Sequence, residues 1–172
     1  MQGLIIENKA NLYKIKLGDI NYIATARGKF KNDSFTPVVG DIAEFSIVDE
    51  NKKTAVIESV KERVSYIKRP KLANINQIVF VVSSKHPKPD LLLLDKQLAF
   101  AEFLHIKPVI VLNKIDLDDK HEFLNIQKIY EEIGYKVIQT DAKNGIGVEE
   151  ILLELKNNIS AFAGNSGVGK ST

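Results

Sequence analysis

Residues 159–172 read Ile159-Ser160-Ala161-Phe162-Ala163-Gly164-Asn165-Ser166-Gly167-Val168-Gly169-Lys170-Ser171-Thr172, a short apolar strand running straight into the pattern GxxxxGK[ST]. Glycines at this spacing let the backbone curl so that successive N–H groups point inward at phosphate oxygens. Lys170 adds a mobile cation for the terminal phosphates, and the Ser171 hydroxyl can ligate magnesium. The preceding strand separates this loop from an ordinary glycine-rich turn and makes Gly164 to Thr172 a candidate nucleoside triphosphate site.

Upstream, from Arg69-Pro70 onward, buried strands alternate with amphipathic helices, the pattern of a parallel sheet with crossover helices. Ile78 to Val82, Val109 to Leu112, Lys136 to Gln139 and Ile159 to Ala163 are the predicted strands. Asp90 is placed to cap a helix reaching Leu104, whose Leu93, Leu94, Leu98, Ala101 and Leu104 recur on one face. A second helix is expected from Lys120 to Ile133, stopped at Gly134, and a third from Val148 to Lys156.

Ligands of open parallel sheets bind beyond the carboxyl ends of the strands, and two further motifs stand there. Asn113-Lys114-Ile115-Asp116 follows the second strand. Asp116 can accept two parallel hydrogen bonds from the imino N–H and exocyclic amine of guanine, an edge adenine does not present. Lys114 can lay its methylene stem along the base, and Asn113 can tie its loop to the phosphate loop or to the base. Charge-assisted bonds of this kind contribute about 1.5 to 3 kcal/mol each. Thr140-Asp141-Ala142-Lys143 follows the third strand. There a small residue suits a backbone N–H meeting the guanine carbonyl oxygen, and Ala142 fits.

The first sixty residues read differently, as short strands over Gly3 to Glu7, Leu12 to Leu17, Tyr22 to Arg27, Ile42 to Val48 and Thr54 to Val60. Asn8 to Asn11, Gly18-Asp19, Lys31 to Ser34 and Asp49 to Lys52 supply turns, because Asn and Asp side chains bond the local backbone. Five short strands in so few residues fit a small closed barrel, of the OB (oligonucleotide/oligosaccharide-binding) kind or the SH3-like kind.

Composition narrows the class further. With 172 residues, 44% hydrophobic and 27% charged, the chain has an ordinary globular balance that excludes disorder. No apolar run approaches a membrane span, and Met1 to Lys16 lacks the layout of a signal peptide, so the expected address is the cytoplasm. The absence of cysteine excludes disulfides and thiolate zinc sites, and His86, His105 and His121 are too dispersed to form a local ligand pair. The net charge is +2, with twelve Lys/Arg against nine Asp/Glu in residues 1–70 and twelve against thirteen in residues 71–172.

Along the chain the base-reading loops precede the phosphate loop, the reverse of the usual order in guanine-nucleotide-binding domains. With an amino-terminal barrel, this permuted order resembles the ribosome small-subunit-dependent GTPase family RsgA, also called YjeQ. The resemblance runs through Pro37-Val38-Val39-Gly40-Asp41, Arg69-Pro70, Ala73-Asn74-Ile75-Asn76-Gln77, Val111 to Leu117 and Ala163 to Ser171. Asp141 departs from it, because Ser is common there. The resemblance implies a five-stranded OB-like barrel over residues 1–66, contacting ribosomal RNA, then a circularly permuted α/β P-loop GTPase domain over 67–172, incomplete after the phosphate loop.

It further implies a cytoplasmic GTP hydrolase acting in maturation of the small (30S) ribosomal subunit, with GTP or GDP and magnesium bound by Asn113 to Asp116, Asp141 to Lys143 and Gly164 to Thr172, and the expected state is a monomer. RNA-facing cations are expected among Lys29, Lys31, Lys52, Lys53, Lys68 and Arg69. A carboxyl-terminal zinc domain also belongs to the family, and none of its ligands occurs in these residues. GTP hydrolysis needs a switch residue on magnesium and a DxxG motif. No Asp here has Gly three residues on, so the 172 residues are expected to hydrolyse little. Two rival readings remain open at this point: an RNA-binding barrel with a non-catalytic α/β domain, and an ATP-using P-loop kinase or ATPase.

Overall fold

The computed structural model describes residues 1–28 and 36–172, which form two compact units, Met1–Asn74 and Ile75–Thr172. In the first unit, strands β1 (Gln2–Lys9), β2 (Leu12–Leu17), β3 (Ile20–Ala26), β4 (Ile42–Asp49) and β5 (Thr54–Val60) close into a barrel of order β1-β2-β3-β5-β4. β1 pairs with both β2 and β4, and β3 pairs with β5 in parallel. This is the Greek-key circuit of an OB barrel, and it resolves the choice left open with the SH3-like alternative.

Period-two alternation fills the interior. Ile5, Tyr13, Ile15, Tyr22, Ala24, Ala43, Phe45, Ala55 and Ile57 form one buried cluster. Register shifts between Ile5 and Glu7, Glu44 and Phe45, and Ile47 and Asp49 bend the strands enough to close the circuit.

After the barrel comes a two-stranded ribbon, β6 (Tyr66–Lys68) and β7 (Lys71–Ala73). Three-residue strands carry no usable alternation, and for that reason the sequence patterning does not reveal them. The chain around the ribbon is fastened to the barrel unit. Ala73 N–H donates to the Val39 carbonyl at 2.9 Å, and the Asn74 side-chain amide donates to the Gly40 carbonyl at 2.9 Å. Arg63 makes a two-pronged ion pair with Asp41, each bond 2.8 Å long. Asp41 is fully buried and also accepts from Val38 N–H at 2.8 Å.

The second unit is a parallel sheet of order β10-β9-β8-β11, built from β8 (Gln77–Ser83), β9 (Lys107–Asn113), β10 (Lys136–Thr140) and β11 (Ser160–Ala163). Helices α1 (Leu91–Phe103), α2 (Glu122–Glu132) and α3 (Val148–Leu155) supply the crossovers. Val79, Val81, Val109, Val111 and Ile138 pack on one face with Ile151 and Leu155 of α3. The alternate residues Ile78, Phe80, Ile110 and Leu112 turn to the opposite face.

Asp90 caps α1 as its type predicts, accepting from Leu93 N–H at 2.9 Å. α2 begins two residues later than its expected start. Its N-cap residue, His121, makes no side-chain bond there; the Asp118 carboxylate instead accepts from Glu122 and Phe123 N–H at 3.0 and 2.9 Å. Among the described residues no helix is long and apolar enough to cross a membrane.

Candidate functional site

Because the four strands of the second unit are parallel, their carboxyl ends lie along one sheet edge; β8, β9 and β10 end in register, and β11 ends three residues earlier, with Ala163 beside Phe80. Ser83 and Thr140 both pair with Asn113. The loops carrying the phosphate pattern, the Asn-Lys-x-Asp motif and the Asp-Ala-Lys motif therefore leave the same edge of the sheet, with β8 between the first two.

The phosphate loop turns out of β11 at Gly164, where a β-carbon would stand 2.3 Å from the Val81 carbonyl oxygen. It passes Gly169 at φ +98°, where a β-carbon would fall 2.2 Å from the Asn113 side-chain nitrogen. Only glycine fits either position. Between them Val168 turns its side chain into the sheet core, anchoring the middle of the loop. None of the backbone N–H groups from Asn165 to Ser171 donates to an acceptor among the described residues. Lys170 folds back on its own loop, donating to the carbonyls of Gly164 and Asn165 at 2.9 and 2.8 Å. A row of unpaired N–H groups beside an ammonium is a cradle for an anion. Residues 169–172 form no helix; Lys170 and Ser171 lie in a turn.

Asn113 joins the loops. Its side chain is buried; the amide donates to the Val168 carbonyl at 2.8 Å, while its oxygen accepts from the Thr140 hydroxyl at 2.9 Å and from Ala142 N–H at 3.2 Å. Lys114 sits at φ +65° and reaches the Gly167 carbonyl at 2.7 Å and the His86 carbonyl at 2.6 Å. Its own carbonyl accepts from the Ser84 hydroxyl at 2.6 Å. Ile115 opens a single tight turn, Ile115–Leu117, that presents Asp116. The Asp116 carboxylate is exposed and has no hydrogen bond or ion pair among the described residues.

Asp141 behaves differently. It is buried, and its carboxylate shapes the loop by accepting from Asn144 N–H at 3.2 Å and from the Asn144 side-chain amide at 2.5 Å. The residue that departs from the family pattern is thus a turn former. Ala142 N–H is engaged by Asn113, whereas the neighbouring Lys143 N–H has no acceptor among the described residues.

Thr140, the first residue of the Thr140-Asp141-Ala142-Lys143 element, joins the network through its hydroxyl, as do Ser84 and the His86 carbonyl, which belong to none of the chemical motifs. The only signal for them in the sequence is their place at the carboxyl ends of buried strands. Of the cations considered for RNA, Lys29 and Lys31 lie outside the described residues. Lys52 stands 3.8 Å from Asp49, and Lys53 is 2.7 Å from Glu50, whose hydrogen bond holds the ammonium above its usual range. Lys68 and Arg69 are exposed.

A parallel sheet with these loops on one edge, threaded so that the base-reading loops come first and the phosphate loop last, defines a circularly permuted P-loop GTPase domain, here following an OB barrel. The comparisons give the family. The profile described as RsgA GTPase matches residues 60–172, and that described as RsgA N-terminal domain matches residues 2–57. The chain belongs to the RsgA GTPase family.

Among its relatives is the small ribosomal subunit biogenesis GTPase RsgA of Caldanaerobacter subterraneus subsp. tengcongensis, 40% identical over 172 residues, which are all of this chain and 58% of that protein. The protein of the same name from Ruminiclostridium cellulolyticum is 41% identical over 172 residues, 99% of this chain and 56% of its own length. The chain therefore spans less than three fifths of these relatives. Among solved structures, YjeQ from Thermotoga maritima matches with a TM-score of 0.83 at 33% identity, over 99% of this chain and 62% of that one. YloQ, a circularly permuted GTPase, matches with a TM-score of 0.78 at 30% identity, over 98% and 61%.

Proposed function

We propose that this chain is the guanine-nucleotide-binding part of a GTP hydrolase acting in biogenesis of the small ribosomal subunit. The observation that carries the reading is the buried Asn113 side chain, which bonds the phosphate loop and the Asp141 to Lys143 loop at once. Loops held together in this way can grip one ligand from both ends. The phosphates would lie against the unpaired N–H groups of Asn165 to Ser171. Lys170 would exchange its bonds to Gly164 and Asn165 for phosphate oxygens, and the Ser171 hydroxyl would ligate magnesium, which neutralises phosphate charge when bound.

The base would lie over the Lys114 stem with its donor edge on the unpartnered Asp116 carboxylate and its carbonyl oxygen near the N–H groups of Ala142 and Lys143. Adenine presents no matching pair of donors to Asp116, and a carboxylate left unpaired beside the wrong base penalises binding. Asp141 takes the role of building the loop, with no contact to the base.

By themselves, the 172 residues are proposed to bind nucleotide and hydrolyse little, since they contain no DxxG pattern. The small subunit and its RNA are the proposed partners, through the barrel unit. The cytoplasm is the proposed location and the monomer the proposed state; zinc is assigned no ligand in this chain. Competition for a fluorescent guanine nucleotide tests the reading. GTP and GDP are expected to displace it and ATP is not; equal displacement by ATP would favour an ATP-using enzyme. Magnesium-dependent phosphate release above a no-protein blank would overturn the proposal of low hydrolysis.

A further inference from the structure

We propose that the β6–β7 ribbon is a phosphate-gripping prong of the barrel unit, with Lys68, Arg69 and Lys71 holding the backbone of RNA. The inference deepens the reading of RNA as a partner and rests on it. Residues 61–72 contain five basic side chains, Lys61, Arg63, Lys68, Arg69 and Lys71, against the single acid Glu62. Arg63 is committed to Asp41. Lys68, Arg69 and Lys71 are all exposed, and none has an anionic partner among the described residues.

The register makes this arrangement unusual, because Lys68 pairs directly with Lys71 across the ribbon. Like charges in directly opposed positions destabilise a strand pair, and here no carboxylate relieves them. A polyanion lying across the tip would remove that repulsion. Such a fork suits successive phosphates of one strand, whose charge such contacts neutralise with release of counterions. A lipid surface fits less well, since the tip sequence Lys68-Arg69-Pro70-Lys71 offers only the small Pro70 ring, and no aromatic or long aliphatic side chain, to enter a bilayer interface.

The prong is also fixed in place. Val39 bridges to Leu72, Ala73 N–H bonds the Val39 carbonyl, and Asn74 both donates to the Gly40 carbonyl and accepts from Val64 N–H at 2.8 Å. The GTPase profile begins at residue 60 and includes the ribbon, yet these bonds tie it to the barrel unit. Lys52 and Lys53, by contrast, are already paired with Asp49 and Glu50.

The test is binding of the whole chain to a fluorescein-labelled double-stranded RNA across a salt series, comparing the unaltered protein, a K68Q/R69Q/K71Q variant, a K52Q/K53Q variant and a K68R/K71R variant. The first variant is expected to bind about tenfold or more weakly, with a log–log salt slope shallower by about 2 to 3. The arginine variant is expected to retain affinity, and the K52Q/K53Q variant to change it little. The same variants are also titrated with phosphatidylserine vesicles; an unchanged slope on RNA in the K68Q/R69Q/K71Q variant overturns the proposal, as does a loss of binding confined to the vesicles. Failure of the unaltered chain to bind RNA overturns both this proposal and the RNA partner, while guanine-nucleotide binding by the same sample leaves the nucleotide reading standing.

Discussion

The side-chain amide of Asn113 lies 2.8 Å from the carbonyl oxygen of Val168, so the residue that ends β9 holds the phosphate loop from a position 55 residues earlier in the chain. The bond is buried, and its acceptor belongs to the residue whose side chain anchors the loop in the sheet core. One residue therefore links the fold of the sheet to the shape of the cradle.

Replacing Asn113 with Ala removes the partner of the Val168 carbonyl, the Thr140 hydroxyl and Ala142 N–H together. Leaving buried polar groups unsatisfied costs about 1 to 3 kcal/mol each. Asn113→Ala is expected to lower the thermal midpoint and to weaken GTP and GDP alike by at least about tenfold. Thermal unfolding and titration with a fluorescent guanine nucleotide check this; undiminished nucleotide affinity would show that the two loops do not depend on the bridge.

Gly169 gives a steric version of the same test. An Ala there meets both the φ of +98° and the Asn113 nitrogen at 2.2 Å, so the loop must shift or the bridge must break. Gly169→Ala is expected to abolish measurable nucleotide binding. Gly28→Ala, where no atom of the described residues lies within 4 Å of the added carbon, is expected to leave it unchanged. Equal affinity in both variants would contradict the close approach.

The barrel unit depends on a different pair. Arg63→Ala leaves the fully buried Asp41 carboxylate with Val38 N–H but without its guanidinium, and breaking a buried ion pair costs about 3 to 5 kcal/mol. Arg63→Lys is expected to rescue little, because an ammonium cannot supply the two-pronged contact. Denaturant midpoints of the variants measure both effects; a fully stable Arg63→Lys protein would show that charge alone suffices.

Much of this architecture is legible in the residues. β1 to β5 each carry inward apolar residues at period two, and β8 and β9 are continuous apolar runs, so local pattern places them. The choice between barrel types was not legible, because it rests on the parallel pairing of β3 with β5, a contact between strands some thirty residues apart. The β6–β7 ribbon is too short to leave a pattern. At the candidate site the chemical motifs name Asn113, Lys114, Asp116 and the glycines, since their chemistry demands those residue types. Ser84 and the His86 carbonyl act through position, which only the paired strand ends reveal. Asp141 shows the converse: the resemblance counts it among the nucleotide-binding residues although Ser is common there, and in the structure its buried carboxylate is bonded to Asn144.

Alkaline pH reports on the helices of the second unit. Burial, then the 2.6 Å hydrogen bond to Asp95, pushes the Tyr130 phenol well above its ordinary value near 10. A phenol raised in this way stays protonated in the folded chain while the unfolded chain ionises. Its contribution is therefore complete below about pH 10 and is lost as pH climbs through that value toward the folded one. Tyr130→Phe is expected to be less stable at neutral pH and to lose stability less steeply above about pH 10. Tyr13, Tyr22 and Tyr135 are shifted in the same direction, so the slope should diminish without vanishing. Urea midpoints across this range decide it, and an unchanged slope would count against the shift.

The central claim is that loops distant along the chain read one guanine nucleotide together, and Asp116→Asn tests it most directly. The exposed carboxylate has no protein partner to lose among the described residues, so a change in base preference reports on ligand contact and not on folding. The measurement is the affinity of the unaltered and substituted chains for guanine and xanthine nucleotides. Guanine binding is expected to weaken by about tenfold or more and xanthine binding to strengthen, because xanthine presents an acceptor where guanine presents its amine. The same guanine preference in both proteins would contradict the account.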